Sequence, residues 1–260
     1  MLENLITLAK KAALAGGAEI LKHYDDFSVS IKSDNSPVTS ADLASNEIIC
    51  KILSESDLPI CSEENELKDT DLKKFWLIDP LDGTKEFIDK NGNFCVCIAL
   101  IENLRPSIGV IYIPTSDELF YASRLGAFKQ TKNGVVNLNK ERQNGGDLVL
   151  FNTRNQNKAL TTVISKLNLK SKDVGSAIKF CRLAEGSAGV YMRFSPCSIW
   201  DIAAGDALIE FSGGVMCQAY DGKDIKYNLN SLSSPHFIAL SKEKAPILQK
   251  TLSIIENEKK

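Results

Sequence analysis

The chain has 260 residues, of which 43% are hydrophobic and 25% are charged, and its formal net charge is −2. This balance is typical of an ordinary globular protein with enough chain for one large domain or two closely packed halves. The small net charge and the lack of a basic stripe with interleaved aromatic residues argue against a nucleic-acid partner, and no apolar stretch is long enough to span a bilayer.

The first 60 residues show the patterns of two helices. Apolar residues at helical spacing predict an amphipathic helix over residues 2–24. Thr39 or Ser40 is placed to cap a second helix over residues 41–53. Asp42 falls in the first turn of that helix, where an acidic side chain interacts favourably with the helix dipole. This favourable position in the helix is enough to explain the presence of Asp42, so the pattern does not decide whether Asp42 also has a functional role.

Several apolar strands follow in the first half. The predicted strands are residues 75–78, 94–101, 108–113, 119–122 and 127–130. The second and third pair naturally as antiparallel neighbours, and the last two form a hairpin. The segment Asn144-Gly145-Gly146-Asp147 predicts a boundary that divides the chain into an N-terminal half, 1–145, and a C-terminal half, 146–260.

Helix and strand patterns alternate in the second half. Strands are predicted at residues 148–151, 180–183 and 190–194, and helices at residues 158–167 and 200–211. The last helix is expected to stop at Gly213-Gly214. The whole pattern predicts a mixed fold of the α/β or α+β class.

Two aspartates stand where the strand at 75–78 ends. Asp79 and Asp82 are followed directly by Gly83-Thr84. Two carboxylates at a strand end suit a hard cation such as Mg²⁺, which is commonly shared between carboxylates and a substrate phosphate. The amides that follow could open a helix and face an anion. The alternative is a plain turn, since Asp-Pro and Asp-Gly are common turn dipeptides.

Two further acidic clusters occur at the ends of predicted elements. Glu63-Glu64 follows a short apolar segment, and Ser198-Ile199-Trp200-Asp201 opens the helix at 200–211. The first could be a solvated loop, and the second fits a capping box. Three carboxylate sources in one chain are, however, about what a two-metal phosphatase site needs.

The seven cysteines and two histidines predict no catalytic or zinc-binding role. Cys95 and Cys97 alternate with apolar residues, which is a strand pattern rather than a zinc-binding spacing. We interpret the cysteines as reduced core residues of a cytoplasmic protein. His23 and His236 lie far in sequence from the acidic clusters. The first residues also lack the basic segment of a signal peptide.

The acidic motifs, in their order along the chain, resemble the signature of the Mg²⁺-dependent, lithium-sensitive phosphatases, the superfamily of inositol monophosphatase and fructose-1,6-bisphosphatase. The matching segments are Asp42 in Pro-Val-Thr-Ser-Ala-Asp, Glu63-Glu64, Asp79-Pro80-Leu81-Asp82-Gly83-Thr84 and Trp200-Asp201. Within the superfamily the chain most resembles bacterial 3'(2'),5'-bisphosphate nucleotidases, through residues 34–39, 79–88, 175–181 and 184–191. The resemblance covers nearly the whole chain. It implies a layered αβαβα sandwich with the metal site between the two halves.

The resemblance also implies a role for each matching residue. Two or three Mg²⁺ ions would be held by Glu63, Asp79, the main-chain carbonyl of Leu81, Asp82 and Asp201. Thr84 and Asp42, with Glu63, would orient and deprotonate the attacking water. The amides of Gly83 and Thr84 would bind the scissile phosphate. The remaining substrate contacts would come from Gly175, Ser176, Lys179, Glu185, Arg193 and Asp201.

The activity implied by the resemblance is Mg²⁺-dependent removal of the 3'-phosphate from 3'-phosphoadenosine 5'-phosphate, a reaction of sulfur metabolism. The alternatives are an inositol-phosphate or sugar-phosphate phosphatase of the same superfamily and a regulatory relative without catalysis. The partner would be a small nucleotide, the protein would be a monomer or a homodimer, and peripheral association with the inner membrane is an alternative to a purely cytoplasmic location. Two segments depart from the pattern of close relatives and could border the substrate pocket: residues 152–154 and 195–198.

Overall fold

The computed structural model describes residues 2–33, 35–67, 71–153 and 156–258. The helices are α1 (Leu2–Lys22), α2 (Ser40–Leu53), α3 (Thr84–Ile88), α4 (Lys158–Lys166), α5 (Ile178–Ala184), α6 (Trp200–Phe211) and α7 (Leu248–Asn257). The strands of the first half are β1 (Val29–Ile31), β2 (Pro37–Thr39), β3 (Ile60–Ser62), β4 (Lys74–Asp82), β5 (Cys95–Glu102), β6 (Arg105–Ile113), β7 (Glu118–Ser123), β8 (Gly126–Thr131) and β9 (Gly134–Asn137). Those of the second half are β10 (Leu148–Phe151), β11 (Lys170–Asp173), β12 (Val190–Arg193), β13 (Val215–Gln218) and β14 (Phe237–Leu240).

Two large sheets form the frame. The first has seven strands in the order β3-β4-β5-β6-β7-β8-β9, and all of its neighbours are antiparallel except β3 and β4. The second has five strands in the order β11-β10-β12-β14-β13. In it, β10 runs parallel to β11 and β12, while β14 runs antiparallel to β12 and β13. The strands β1 and β2 form a separate small ribbon.

Helices cover the sheets in layers. Helices α1 and α2 pack on one face of the first sheet, α5 and α6 lie between the two sheets, and α4 and α7 cover the outer face of the second sheet. Successive residues of β4 serve opposite faces: Trp76 and Ile78 pack toward α1 and α2, whereas Phe75 and Leu77 belong to the core between the sheets. The order of layers is the αβαβα sandwich that the sequence resemblance implies.

Most of the elements predicted from the sequence are present, but the strand predicted at residues 180–183 is wrong. This segment lies in helix α5. Six of its seven residues are buried between the sheets, so the segment shows no alternation between a buried and an exposed face that would mark a helix. Strand β4 also continues through Asp82, past the end predicted at Ile78. No pattern predicted α7, β1, β2, β9, β11, β13 or β14, whereas α3 begins at Thr84, where the sequence suggested that a helix could open. The loop between β9 and β10 contains Gly145, and the division into halves there stays a prediction.

A buried ion pair fastens α6 to the first sheet. Arg105 on β6 donates to both carboxylate oxygens of Asp206 on α6, at 2.8 and 3.0 Å, and the hydroxyl of Tyr227 donates to the same carboxylate at 2.8 Å. The side chain of Asp206 is only 1% exposed. Since Asp201 lies in the first turn of α6, this contact also positions the acidic end of the helix. No helix among the described residues is both long and apolar enough to cross a membrane.

We expect Arg105→Ala to lower the free energy of unfolding by about 3 kcal/mol, because it leaves a buried carboxylate without its counter-charge. Urea denaturation followed by circular dichroism measures this. The matched control is Lys11→Ala, which breaks the exposed pair between Lys11 and Glu55 and should change stability by less than about 1 kcal/mol. Equal, small effects of the two substitutions would show that the buried pair does not hold α6.

Candidate metal and phosphate site

Three carboxylates converge in the region where α6 lies between the two sheets. Asp79 and Asp82 come from β4, Asp201 comes from the first turn of α6, and one ligand oxygen from each lies within 4.8 Å of the others. Asp79 is 2% exposed, while Asp82 and Asp201 are half-buried. An all-oxygen, negatively charged donor set of this kind matches what Mg²⁺ prefers.

Local backbone structure aims the three carboxylates at one point. The pairing of β4 with β5 shifts register between Asp79 and Asp82, and such an irregularity turns side chains that would otherwise alternate between faces. The amide of Leu81 donates to Asp79 at 3.0 Å, and the amide of Ser198 donates to Asp201 at 3.1 Å. The amide of Ala177, at the start of α5, donates to Asp82. Each carboxylate is therefore held by one main-chain donor.

Burial and mutual repulsion favour protonated carboxyl groups in this cluster. Burial, reinforced by Glu63, Asp82 and Asp201, raises the pKa of Asp79 well above its usual value of 3.8. Burial also raises the pKa of Asp82 to about 6, although the Ala177 amide and Lys179 oppose the shift. The pKa of Asp201 rises to about 7 through burial and the nearby charge of Asp82. A bound cation would remove this repulsion.

Glu63 lies close enough to the cluster to raise the pKa of Asp79, and it contacts a lysine that the sequence did not single out. The Nζ atom of Lys32 donates to Glu63 at 2.8 Å and to Glu64 at 2.7 Å. The expected metal-binding glutamate thus forms an ion pair in this structure. Lys32 could not be found from its sequence position, because it stands in a polar loop more than 30 residues away from both partners.

Thr84 and Asp42 lie next to each other, as the resemblance implies. The hydroxyl of Thr84 donates to Oδ1 of Asp42 at 3.2 Å and also lies 3.4 Å from the carbonyl oxygen of Leu81. The other oxygen of Asp42, Oδ2, accepts from the amide and the hydroxyl of Thr39 in a capping box. Burial raises the pKa of Asp42 to about 6, against the opposing effect of the Thr39 hydrogen bonds. Asp42 therefore takes part in the N-terminal cap of α2 and also contacts Thr84 at the site.

A cavity of about 240 Å³ opens beside the acidic cluster. Its walls include Asp82, Asp201, Lys179, Arg193 and Tyr191. Arg193 is held by the carbonyls of residues 195 and 196, at 3.4 and 2.9 Å. Burial lowers the pKa of Lys179 to about 8, with Asp82 acting in the opposite direction. Negative and positive groups thus share one cavity, at the place where Mg²⁺ and an anionic substrate would meet.

The turn before α5 joins the cavity to the metal cluster. Lys179 donates to the carbonyls of Val174 and Ser176, at 3.0 and 2.5 Å, which fixes the turn whose amide reaches Asp82. A Cβ atom at Gly175 would lie 2.6 Å from Cγ of Glu86, so a larger residue there would displace the Glu86 side chain. Gly175 therefore makes room for a side chain of the cavity wall rather than lining the cavity itself. Ser176 does line it.

Gly83, which the sequence assigned to phosphate binding, is the N-cap of α3 and has a φ of 97°. That angle lies in the left-handed region, which favours glycine. A Cβ atom at this position would also lie 3.0 Å from the carbonyl oxygen of Asn93. Gly83 thus turns the chain sharply after Asp82, and it lines the cavity.

Not every residue predicted to contact substrate reaches the cavity. Glu185 is 4% exposed and forms ion pairs with Lys129 and Arg182, at 2.8 and 3.0 Å, so it stabilises the packing of α5 against the first sheet. Of the departing segment 152–154, Asn152 lines the cavity, and Arg154 lies outside the described residues. Asp34 of the motif at 34–39 also lies outside them.

Several residues of the cavity were missed by sequence reasoning. Glu86, Tyr191 and Lys85 all line it. Glu86 and Lys85 follow Thr84 directly, so their place in the motif was a usable signal. Tyr191 comes from β12 in the second sheet, and only the tertiary fold brings it to the site.

Acidification should stabilise the metal-free protein. The folded-state pKa values of Asp82, about 6, and Asp201, about 7, exceed the usual value of 3.8. At pH values between 3.8 and these raised values, the folded state therefore binds more protons than the unfolded state. Stability without metal should then fall as pH rises from about 4 to about 7. Thermal unfolding in EDTA measures this, with Mg²⁺ expected to raise Tm more at about pH 7.5 than at about pH 5.5. The pH dependence of Tm in EDTA should be smaller in Asp201→Asn than in the wild-type protein. A wild-type Tm in EDTA that rises with pH would contradict the raised pKa values of these carboxyl groups.

Comparisons with known proteins identify the family of this chain. The model of the inositol monophosphatase family matches residues 1–256. The chain is 40% identical over 240 residues to the 3'(2'),5'-bisphosphate nucleotidase CysQ of Buchnera aphidicola, covering 89% of both chains, and 38% identical over 237 residues to CysQ of Salmonella typhimurium, covering 87% of this chain and 94% of that one. The crystal structure of CysQ from Bacteroides thetaiotaomicron has a TM-score of 0.82 at 34% identity, covering 92% and 97% of the two chains. The chain therefore belongs to the inositol monophosphatase family.

Proposed function

We propose that this protein is a metal-dependent 3'(2'),5'-bisphosphate nucleotidase that hydrolyses 3'-phosphoadenosine 5'-phosphate to AMP and phosphate. The observation that carries the proposal is the pairing, in one cavity, of converging carboxylates with the cations Lys179 and Arg193. Metal ions on the carboxylates suit the phosphate that is cleaved, and the side-chain cations suit a second phosphate. The relatives of the same family described above carry this activity in their names.

The residues present fit Mg²⁺, since the converging groups are carboxylate oxygens. We assign two or three ions to Glu63, Asp79, the Leu81 carbonyl, Asp82 and Asp201. When bound, Mg²⁺ lowers the pKa of a coordinated water and neutralises charge on the transferred phosphate. In this proposal residues 1–145 supply all but one of these ligands, and residues 146–260 supply Asp201 together with the substrate contacts.

Thr84 and Asp42 provide the route for a proton. A water oriented by the Thr84 hydroxyl would pass its proton through that hydroxyl to Oδ1 of Asp42, which already accepts from it at 3.2 Å. The raised pKa of Asp42, about 6, suits a carboxylate that takes up a proton near neutral pH. Glu63 would help to orient the same water. The amides of Gly83 and Thr84 would bind the phosphate oxygens.

Lys179 and Arg193 form the second anion subsite of the proposal. Lysine has three donors, and the two that bind carbonyls leave the third for an anion in the cavity that Lys179 lines. Arg193 is steered into the same wall by the carbonyls of residues 195 and 196. A guanidinium and an ammonium together suit the 5'-phosphate of a bisphosphate nucleotide. An inositol or sugar monophosphate offers no second anion to these groups.

Activity should require Mg²⁺ and disappear in EDTA. Asp82→Asn should reduce kcat/KM by at least about 100-fold at limiting Mg²⁺, because an amide oxygen is a weaker ligand for a hard cation than a carboxylate. Phosphate release measures this, with the exposed Asp221→Asn as matched control. Wild-type turnover in Asp82→Asn would contradict the metal assignment.

The substrate should be recognised through two phosphates. We expect 3'-AMP to be cleaved with a kcat/KM about tenfold or more below that of 3'-phosphoadenosine 5'-phosphate, the effect of one lost charge-assisted contact, and inositol 1-phosphate to be cleaved far more slowly. In Arg193→Met this preference for the 5'-phosphate should shrink.

The control is 3'-AMP itself, whose turnover Arg193→Met should affect much less. Equal losses for both substrates would show that Arg193 only supports the cavity wall. Preference of the wild-type protein for inositol 1-phosphate or fructose 1,6-bisphosphate would replace the nucleotidase proposal with the sugar-phosphate alternative.

A further inference from the structure

A pair of thiols lies directly behind Asp82. In the register of β4 with β5, Cys95 stands opposite Asp82 and Cys97 stands opposite Asp79. The Sγ atom of Cys95 is 3.6 Å from Oδ2 of Asp82 and 3.9 Å from Sγ of Cys97. Both cysteines are free and buried, with exposures of 0% and 1%. The sequence pattern explained them as core residues of a strand, and that explanation does not account for their contact with a carboxylate.

The spacing of these three groups fits a tetrahedral metal. Zn²⁺ binds thiolate sulfur at about 2.3 Å and carboxylate oxygen at about 2.0–2.2 Å, which separates two sulfur ligands by about 3.8 Å and a sulfur from an oxygen by about 3.5 Å. The observed distances are 3.9 and 3.6 Å. The ligand atoms of Asp82, Cys95 and Cys97 all lie within 4.8 Å of one another. Little movement is needed to surround one ion.

We propose that Asp82, Cys95 and Cys97 form a binding site for a thiophilic divalent cation of the class of Zn²⁺ and Cd²⁺. Thiolate ligands select such ions, whereas Mg²⁺ prefers oxygen. The ion reaches the thiols from the cavity, whose wall includes Asp82 and Ser176. The Ser176 hydroxyl is 3.7 Å from Sγ of Cys95 and is available as a fourth ligand. Each thiol releases its proton to solvent on binding the ion.

Occupation of this site withdraws Asp82 from the cluster with Asp79 and Asp201, because the same carboxylate serves both groups. Thiophilic cations therefore inhibit the enzyme at a position distinct from Mg²⁺. The inhibition rests on the proposed function, in which Asp82 holds Mg²⁺, but the binding does not. The two are measured separately.

Binding is tested by adding Cd²⁺, in the absence of Mg²⁺, to protein whose cysteines have been reduced and from which the reductant has then been removed. The wild-type protein should bind one Cd²⁺ with the ultraviolet charge-transfer absorption of a cadmium thiolate. Cys97→Ala should weaken this binding by at least about tenfold, and Cys217→Ala, which removes a buried strand cysteine from the second sheet, should not. If Cys97→Ala does not fold, Cys97→Val gives the same comparison with the space filled. Absence of thiolate absorption in the wild-type protein, or its retention in the double variant Cys95→Ala/Cys97→Ala, would overturn the proposal.

Inhibition is tested by phosphate release at a fixed Mg²⁺ concentration, with each variant compared with its own activity before Cd²⁺ is added. The Cd²⁺ concentration that halves activity should rise by about tenfold or more in Cys97→Ala and stay unchanged in Cys217→Ala. Ca²⁺, which prefers oxygen ligands, should act equally on all three proteins. An unchanged Cd²⁺ response in Cys97→Ala would place its action at the oxygen ligands and overturn the inhibitory role. Thiolate binding without any phosphatase activity would count against the proposed function alone.

Discussion

Repulsion among three carboxylates, one buried and two half-buried, is the constraint on which this structure depends. Asp79, Asp82 and Asp201 share one space, and burying charged groups together is costly without compensation. The protein offsets part of this cost with fixed dipoles: the amides of residues 81, 177 and 198 each donate to one of the three. Dipoles orient the carboxylates without neutralising them. The cluster therefore keeps its affinity for a cation.

One of these hydrogen bonds links the first sheet to the turn before α5. Asp82 belongs to the first sheet, and the amide that holds it, from Ala177, belongs to the turn before α5. Lys179 fixes that turn through two carbonyls, and Arg105 fixes α6 through Asp206. A disturbance of β4, of the turn before α5 or of α6 is thus transmitted to one of the converging carboxylates.

The three converging carboxylates could be located from the sequence because each lies at the end of an element with a recognisable pattern. Asp79 and Asp82 follow an apolar strand, and Asp201 opens an apolar helix, so local rules located them and the family resemblance connected them. The layered fold followed from the same resemblance. Helix α5 could not be predicted from periodicity, since a short helix between two sheets is buried on every side. The contacts of Lys32 and Cys95 depend on register and tertiary packing, which no local pattern encodes.

The pair Glu63-Glu64 gains a physical explanation from Lys32. One ammonium binds both carboxylates, at 2.8 and 2.7 Å, and the side chains of Lys32 and Glu63 are about equally exposed, at 21% and 22%. Under the proposed role of Glu63, a cation at the cluster competes with Lys32 for that carboxylate. Lys32 keeps Glu64, whose side chain is only 7% exposed, so the lysine retains a counter-charge when Glu63 turns to the metal. The second glutamate therefore allows the first to exchange partners without leaving a half-buried ammonium unpaired.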